Sequence, residues 1–117
     1  MKITKSEVAL ICMFLCLVLA YSGGAMNILV MKNNHGKMPF LYDYDVELEV
    51  HKSFQMDDKP AYWYLSDIFE ISDNIYSIGD LISIVGIFGM FIFLTNFFWI
   101  KFMEVKNDKK RIALATL

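Results

Sequence analysis

Alternating acidic residues form the first pattern in this chain whose side chains could do chemistry. Over residues 42–51, apolar and charged side chains alternate strictly, which is the period of a β-strand. Carboxylate oxygens on one strand face could bind a hard cation or a polar ligand, although the spacing matches no known metal-binding loop. We favour a solvated acidic face, on a strand that pairs with residues 38–41 or with another chain. The candidate binding residues are Asp45, Glu47, Glu49 and His51.

Two further acids, Asp67 and Asp80, each lie close after a serine. A pair of carboxylates can perform general acid–base catalysis, but helix capping explains both positions without catalysis and is the interpretation that we favour. Ser66 is predicted to cap a short interfacial helix over residues 67–71. Ser77 and Asp80 have the spacing of a capping box before the second apolar stretch. The chain has no phosphate-binding loop, nucleophile elbow or zinc motif, so we expect no enzyme, cofactor or metal site.

The elements that must position these residues are two uncharged apolar stretches, residues 8–31 and 81–100. Each exceeds the roughly 18 apolar residues that identify a transmembrane helix. The sequence therefore predicts a mainly α membrane protein, with two transmembrane helices in a hairpin joined by a small acidic ectodomain. A cleavable signal peptide ending near Ala20-Tyr21-Ser22 is the alternative for the first stretch, but its apolar character continues past that point.

The distribution of charge predicts how the two helices are oriented. Residues 32–80 carry four lysines and ten acids, a net charge of -6, whereas residues 1–7 carry +1 and residues 101–117 carry +3. Because basic residues beside transmembrane helices stay in the cytoplasm, we expect both tails inside and residues 32–80 outside. An acidic exterior also argues against nucleic acid as a partner, since such binding depends on neutralising phosphates.

Small residues cluster at matched depths in the two stretches, which favours close packing of helices within the hairpin or against a partner helix. Cys12 and Cys16 are interpreted as small apolar filler, with reversible acylation as the alternative. The predicted helix-packing residues are Ala20, Gly23, Gly24, Ser83, Gly86 and Gly89.

Three short motifs occur in order along the chain: Asn34-His35-Gly36-Lys37-Met38-Pro39, Leu65-Ser66-Asp67-Ile68 and Ser77-Ile78-Gly79-Asp80. Together they resemble an uncharacterised family of small bacterial membrane proteins, common in Clostridia, that shows N-G-x-R-M-P, L-G-D and S-x-G-D before its last helix. The chain departs from that pattern at His35, Lys37 and Ser66. The family has no assigned activity, so the resemblance implies a bacterial plasma membrane and nothing catalytic.

These patterns together predict a non-catalytic accessory or regulatory subunit of a membrane protein complex. Its partners would be membrane lipids and another membrane protein, in a hetero- or homo-oligomer. The alternatives are a ligand- or cation-binding ectodomain of a membrane sensor, and a small subunit of a transporter or lipid-handling enzyme.

Overall fold

The fold, described by a computed structural model for residues 2–117, is mainly helical. Met1 of the predicted tail lies outside the described residues. Helix α1 is Lys5–Lys32 and helix α2 is Ile78–Ala115, and both are long and apolar enough to cross a membrane. Only 11% and 6% of their most apolar windows are buried inside the protein. An apolar helix that is not covered by protein is compatible with a transmembrane helix in contact with lipid.

Both helices begin with a capping box, which satisfies amide groups that would otherwise lack partners. At the start of α1, the Thr4 amide donates to Glu7 Oε2 over 2.8 Å, and the Glu7 amide donates to Thr4 Oγ1 over 3.2 Å. At its other end, α2 continues to Ala115. The segment expected to be a basic tail after Ile100 therefore starts as a continuation of the helix.

The chain forms two compact units, one of Leu19–Val85 and one of Gly86–Leu117 with the N-terminal residues up to Val18. The first unit contains a parallel pair of strands, β1 (Met38–Leu41) and β2 (His51–Phe54), in register from Met38↔His51 to Leu41↔Phe54. Its small apolar core includes Val30, Met38 and Phe54.

The predicted strand over residues 42–51 is wrong, since only His51 of this range belongs to a strand. The chain reverses instead, with the Leu48 amide donating to the His51 carbonyl over 2.7 Å. An extended strand would have placed its carboxylates about 7 Å apart along one face, where they repel one another. The reversal lets Glu47 pair with Lys37 at 2.7 Å.

The predicted helix over residues 67–71 is also wrong. This region forms an antiparallel hairpin of β3 (Phe69–Ile71) and β4 (Asn74–Tyr76), joined by Ser72 and Asp73 with φ values of 49° and 66°. Two consecutive left-handed residues make the two-residue turn whose twist suits a hairpin. Ser66 therefore caps no helix start. It follows a 3₁₀ turn at Trp63–Leu65, and its amide donates to the Trp63 carbonyl over 3.0 Å.

Candidate functional site

A polar network joins α1 to the start of α2 within the Leu19–Val85 unit. The Asn27 amide nitrogen donates to Asp80 Oδ1 over 2.7 Å, and Asn27 Oδ1 accepts from Ser77 Oγ over 2.8 Å. Ser77 and Asp80 also form the capping box of α2, with two bonds of 3.0 Å. Both carboxylate oxygens of Asp80 therefore accept hydrogen bonds, and the three side chains satisfy one another in a part-buried site.

Beside this network, the two helices approach closely at glycine. A Cβ atom added to Gly23 would overlap the carbonyl oxygen of Gly79 and the Ser83 side chain, and one added to Gly79 would lie 2.5 Å from the Gly23 carbonyl oxygen. Ser83 Oγ donates to the Ala20 carbonyl over 2.9 Å. Of the predicted packing residues, Ala20, Gly23 and Ser83 thus meet here. Gly79 was missed, although it stands in small-xxx-small spacing with Ser83.

Gly24 does not take part in this packing, because a Cβ atom there would have no neighbour within 4 Å. Successive residues are about 100° apart around a helix, so Gly23 and Gly24 cannot both face α2. In the other compact unit, a Cβ atom on Gly89 would lie 2.6 Å from Cys16 Sγ, which makes Gly89 a contact residue. Gly86 is buried.

Asp67 is a buried acid next to the network, with only 6% of its surface exposed. Its Oδ1 has no hydrogen-bond partner among residues 2–117, and its Oδ2 lies 3.6 Å from His51 Nε2, too far for a hydrogen bond. Burial, together with the negative charge of Asp80, raises the pKa of Asp67 to about 7. Asp67 can therefore exchange a proton near neutral pH. The raised pKa of Asp67 could not be predicted from the sequence, because the burial of Asp67 depends on β1 lying beside it.

The four candidate binding residues do not lie along one strand, because only His51 among them belongs to a strand. Glu47 pairs with Lys37, whose hydrogen bond and charge lower the pKa of Glu47. His51 lies beside Asp67, while Asp45 and Glu49 are exposed. Within residues 2–117 no group of three His, Cys, Asp or Glu side chains is placed to hold a metal ion.

A cavity of about 570 Å³ opens on the same unit. Its walls bring lysines and acids together, so both signs of charge face the space. Ligand-binding pockets commonly enclose roughly 300 to 1,000 Å³, so the cavity is large enough for a small polar molecule. The charged lining residues are Lys37, Lys52, Lys59, Asp45, Glu47 and Asp58.

Comparisons of the chain with protein-family models, with curated proteins and with solved structures each find no match. Its function is therefore inferred from its own residues and contacts.

Proposed function

We propose that this protein is a non-catalytic accessory or regulatory subunit of a bacterial plasma-membrane complex. Both termini would be cytoplasmic, and residues 32–80 would form the extracytoplasmic contact surface. The assignment to a bacterial membrane depends on the resemblance of the three sequence motifs. The orientation depends on the excess of lysine and arginine in the tails.

The observation that carries this proposal is a row of aromatic side chains on the ectodomain. The rings of Phe40 and Tyr42 lie 5.9 Å apart, and those of Tyr42 and Tyr44 lie 6.0 Å apart. Tyr44 is 71% exposed, and Leu48 and Val50, further along the same loop, are exposed as well. Tyrosine and other aromatic residues are enriched in protein–protein interfaces, and exposed apolar patches commonly mark such contacts. This aromatic row supports a protein partner outside the membrane.

The polar groups near the membrane support an accessory role rather than transport. Residues 8–31 and 81–100 contain no Asp, Glu, Lys, Arg or His. Asn27, Ser77 and Asp80 are occupied by hydrogen bonds to one another, so they are committed to joining the helices. Pumps and carriers usually place ionisable groups inside the bilayer, along the path of the solute. A structural or regulatory subunit needs no such groups.

The test is purification of the tagged full-length protein in mild detergent, with mass spectrometry of the proteins that co-purify. A stoichiometric membrane partner is expected, and the double variant Tyr42→Ser/Tyr44→Ser should lose most of it. Tyr64→Ser is the matched control, since Tyr64 is also an exposed ectodomain tyrosine but lies outside the aromatic row. A monodisperse monomer with no stoichiometric partner would refute the proposal.

A ligand-binding ectodomain is the second candidate, and the cavity favours it. Walls with both lysines and carboxylates suit a small zwitterion such as an amino acid, whose two charges would each meet the opposite sign. Thermal unfolding of the full-length protein with each of the common amino acids at millimolar concentration tests this candidate. A ligand that binds the folded state raises the unfolding temperature. If none of the amino acids raises it, amino acids are ruled out as the ligand.

A further inference from the structure

The β3–β4 hairpin, like α1 and α2, is suited to contact lipid. We propose that it lies among the lipid headgroups of the outer leaflet, with the face that carries Phe69 and Ile71 directed toward the lipid. This inference rests on the membrane placement of α1 and α2 in the proposed function, and it adds the ectodomain itself to the surface in contact with lipid.

The hairpin has an apolar face that the protein leaves uncovered. Phe69 pairs with Tyr76 and Ile71 pairs with Asn74, so these four side chains share one face, while Glu70 and Ile75 lie on the other. Phe69 is 39% exposed and Ile71 is 50% exposed. The first face carries two aromatic rings and Ile71 beside Asn74, whereas the charge of the hairpin strands is confined to Glu70 on the other face, a division expected of an element at a membrane surface.

The depth of the hairpin follows from the contacts of Asn27. Because Asn27 bonds to both Ser77 and Asp80, it lies level with the start of α2. The apolar sequence of α1 continues beyond Asn27 to Met31, which extends about 6 Å further along the helix axis. Ile28 in this last turn is 67% exposed. Lipid must therefore extend about 6 Å outward of the start of α2, if the apolar end of α1 is to avoid water.

The base of the hairpin lies level with the start of α2. The Ile68 amide donates to the Tyr76 carbonyl over 3.1 Å, which closes the base of the hairpin directly before Ser77. Phe69 and Tyr76 are the residue pair at the base of the hairpin. Ile71 lies two residues beyond Phe69, about 7 Å away along the strand. The headgroup layer is roughly 5 to 7 Å thick on each side of the hydrocarbon, so this reach keeps the hairpin within or next to that layer.

The side chains of the hairpin suit that position. Tyrosine is enriched at the membrane–water interface, where Tyr76 would lie, and phenylalanine is common on the apolar face of interfacial elements, as Phe69 would be. The turn at Ser72 and Asp73 is polar, and Glu70 lies on the opposite face, so the hairpin retains groups that need water. Lipid headgroups provide both environments within a few ångströms, which is why lipid fits this surface better than a second apolar protein face.

The test places a nitroxide spin label on the full-length protein in nanodiscs of phosphatidylcholine and phosphatidylglycerol. The native cysteines are replaced (Cys12→Ala, Cys16→Ala), and single cysteines are introduced as Ile71→Cys or, on the opposite face of the same strand, Glu70→Cys. Collisions of the label with oxygen report lipid, and collisions with a water-soluble nickel chelate report water. We expect the label at Ile71 to lose most of the nickel collisions that the Glu70 label shows, and to gain oxygen collisions.

Equal nickel collisions at the two positions would overturn the proposal, as would a label at Ile71 that neither reagent reaches, because that result indicates a protein partner or a second copy. A third label, Phe88→Cys at an exposed position of α2, tests the membrane placement separately. If Phe88 is in lipid and Ile71 is in water, only the hairpin contact is wrong. If Phe88 is also in water, the proposed membrane location is wrong too.

Discussion

Asn27 donates a hydrogen bond to Asp80 over 2.7 Å, and this bond joins two helices through residues that are 53 positions apart in the chain. Asp80 accepts it with one carboxylate oxygen while the other oxygen caps the first turn of its own helix. One side chain therefore both starts α2 and attaches it to α1. The start of α2 and its position against α1 therefore depend on the same carboxylate group.

Replacing Asn27 by leucine should destabilise the protein by about 1 to 3 kcal/mol, because Ser77 and Asp80 would each lose a partner in a part-buried site. Unfolding of the purified protein in detergent, followed by circular dichroism, measures the change. Asn33→Leu is the matched control: Asn33 follows directly after α1, is exposed, and its side chain donates to the Leu29 carbonyl of that helix. Equal losses for the two variants would show that the network contributes little.

Gly23→Ala and Gly24→Ala should have opposite effects although the residues are neighbours. The new methyl group at Gly23 would overlap the Gly79 carbonyl oxygen, which should cost about 1 to 3 kcal/mol, since overpacked sites force backbone shifts. At Gly24 the methyl group meets nothing within 4 Å, so alanine should be neutral or stabilise α1 by up to about 1 kcal/mol. Unfolding free energies of both variants in the same detergent provide the comparison, and a loss at Gly24 as large as at Gly23 would contradict this packing.

Stability should fall as the pH rises, through the titration of Asp67. Its pKa is about 7 in the folded protein and near 3.8 when unfolded, so the folded state binds the proton more tightly. This stabilisation is complete below about pH 4 and is lost as the pH rises through about 7, a change on the order of 4 kcal/mol. The titratable groups that face Asp67 are His51, at 3.6 Å, and Asp80.

The Asp67→Asn variant checks this assignment, because asparagine resembles the protonated acid and cannot ionise. Thermal unfolding between pH 5 and pH 8 should show a smaller slope for Asp67→Asn than for the original protein, with the variant more stable at pH 8. Asp73→Asn removes an exposed carboxylate from the hairpin turn and should leave the slope unchanged. A slope that survives Asp67→Asn would assign the pH dependence to another group.

Cysteines placed on the two sides of the membrane should differ in their access to a reagent that cannot cross it. In intact cells that produce the cysteine-free background, Asp73→Cys should react with an impermeant maleimide, and Lys110→Cys should react only after permeabilisation. The reason is the excess of lysine and arginine in residues 101–117, from which we expect that segment to stay in the cytoplasm. Labelling of Lys110→Cys in intact cells would reverse the proposed orientation.

Local features of the fold could be predicted from sequence where a single segment contains the whole signal. The two long helices follow from uncharged apolar runs, because hydropathy is a sum over about 20 neighbouring residues. The pairing of Ser77 with Asp80 follows from a four-residue pattern in the same way. Alternation over residues 42–51, by contrast, indicated a strand that does not form, because a strand also needs a partner at the right distance.

Amino-acid sequence by itself thus determined which segments are apolar helices, where α2 begins and how charge is distributed around them. Only the tertiary structure decided that Gly23 rather than Gly24 meets α2, that β1 pairs with β2, and that Asp67 is buried. The physical reason is that rotation of a helix face, strand pairing and burial of a carboxyl depend on contacts between residues far apart in the chain, and no local pattern records which surfaces meet.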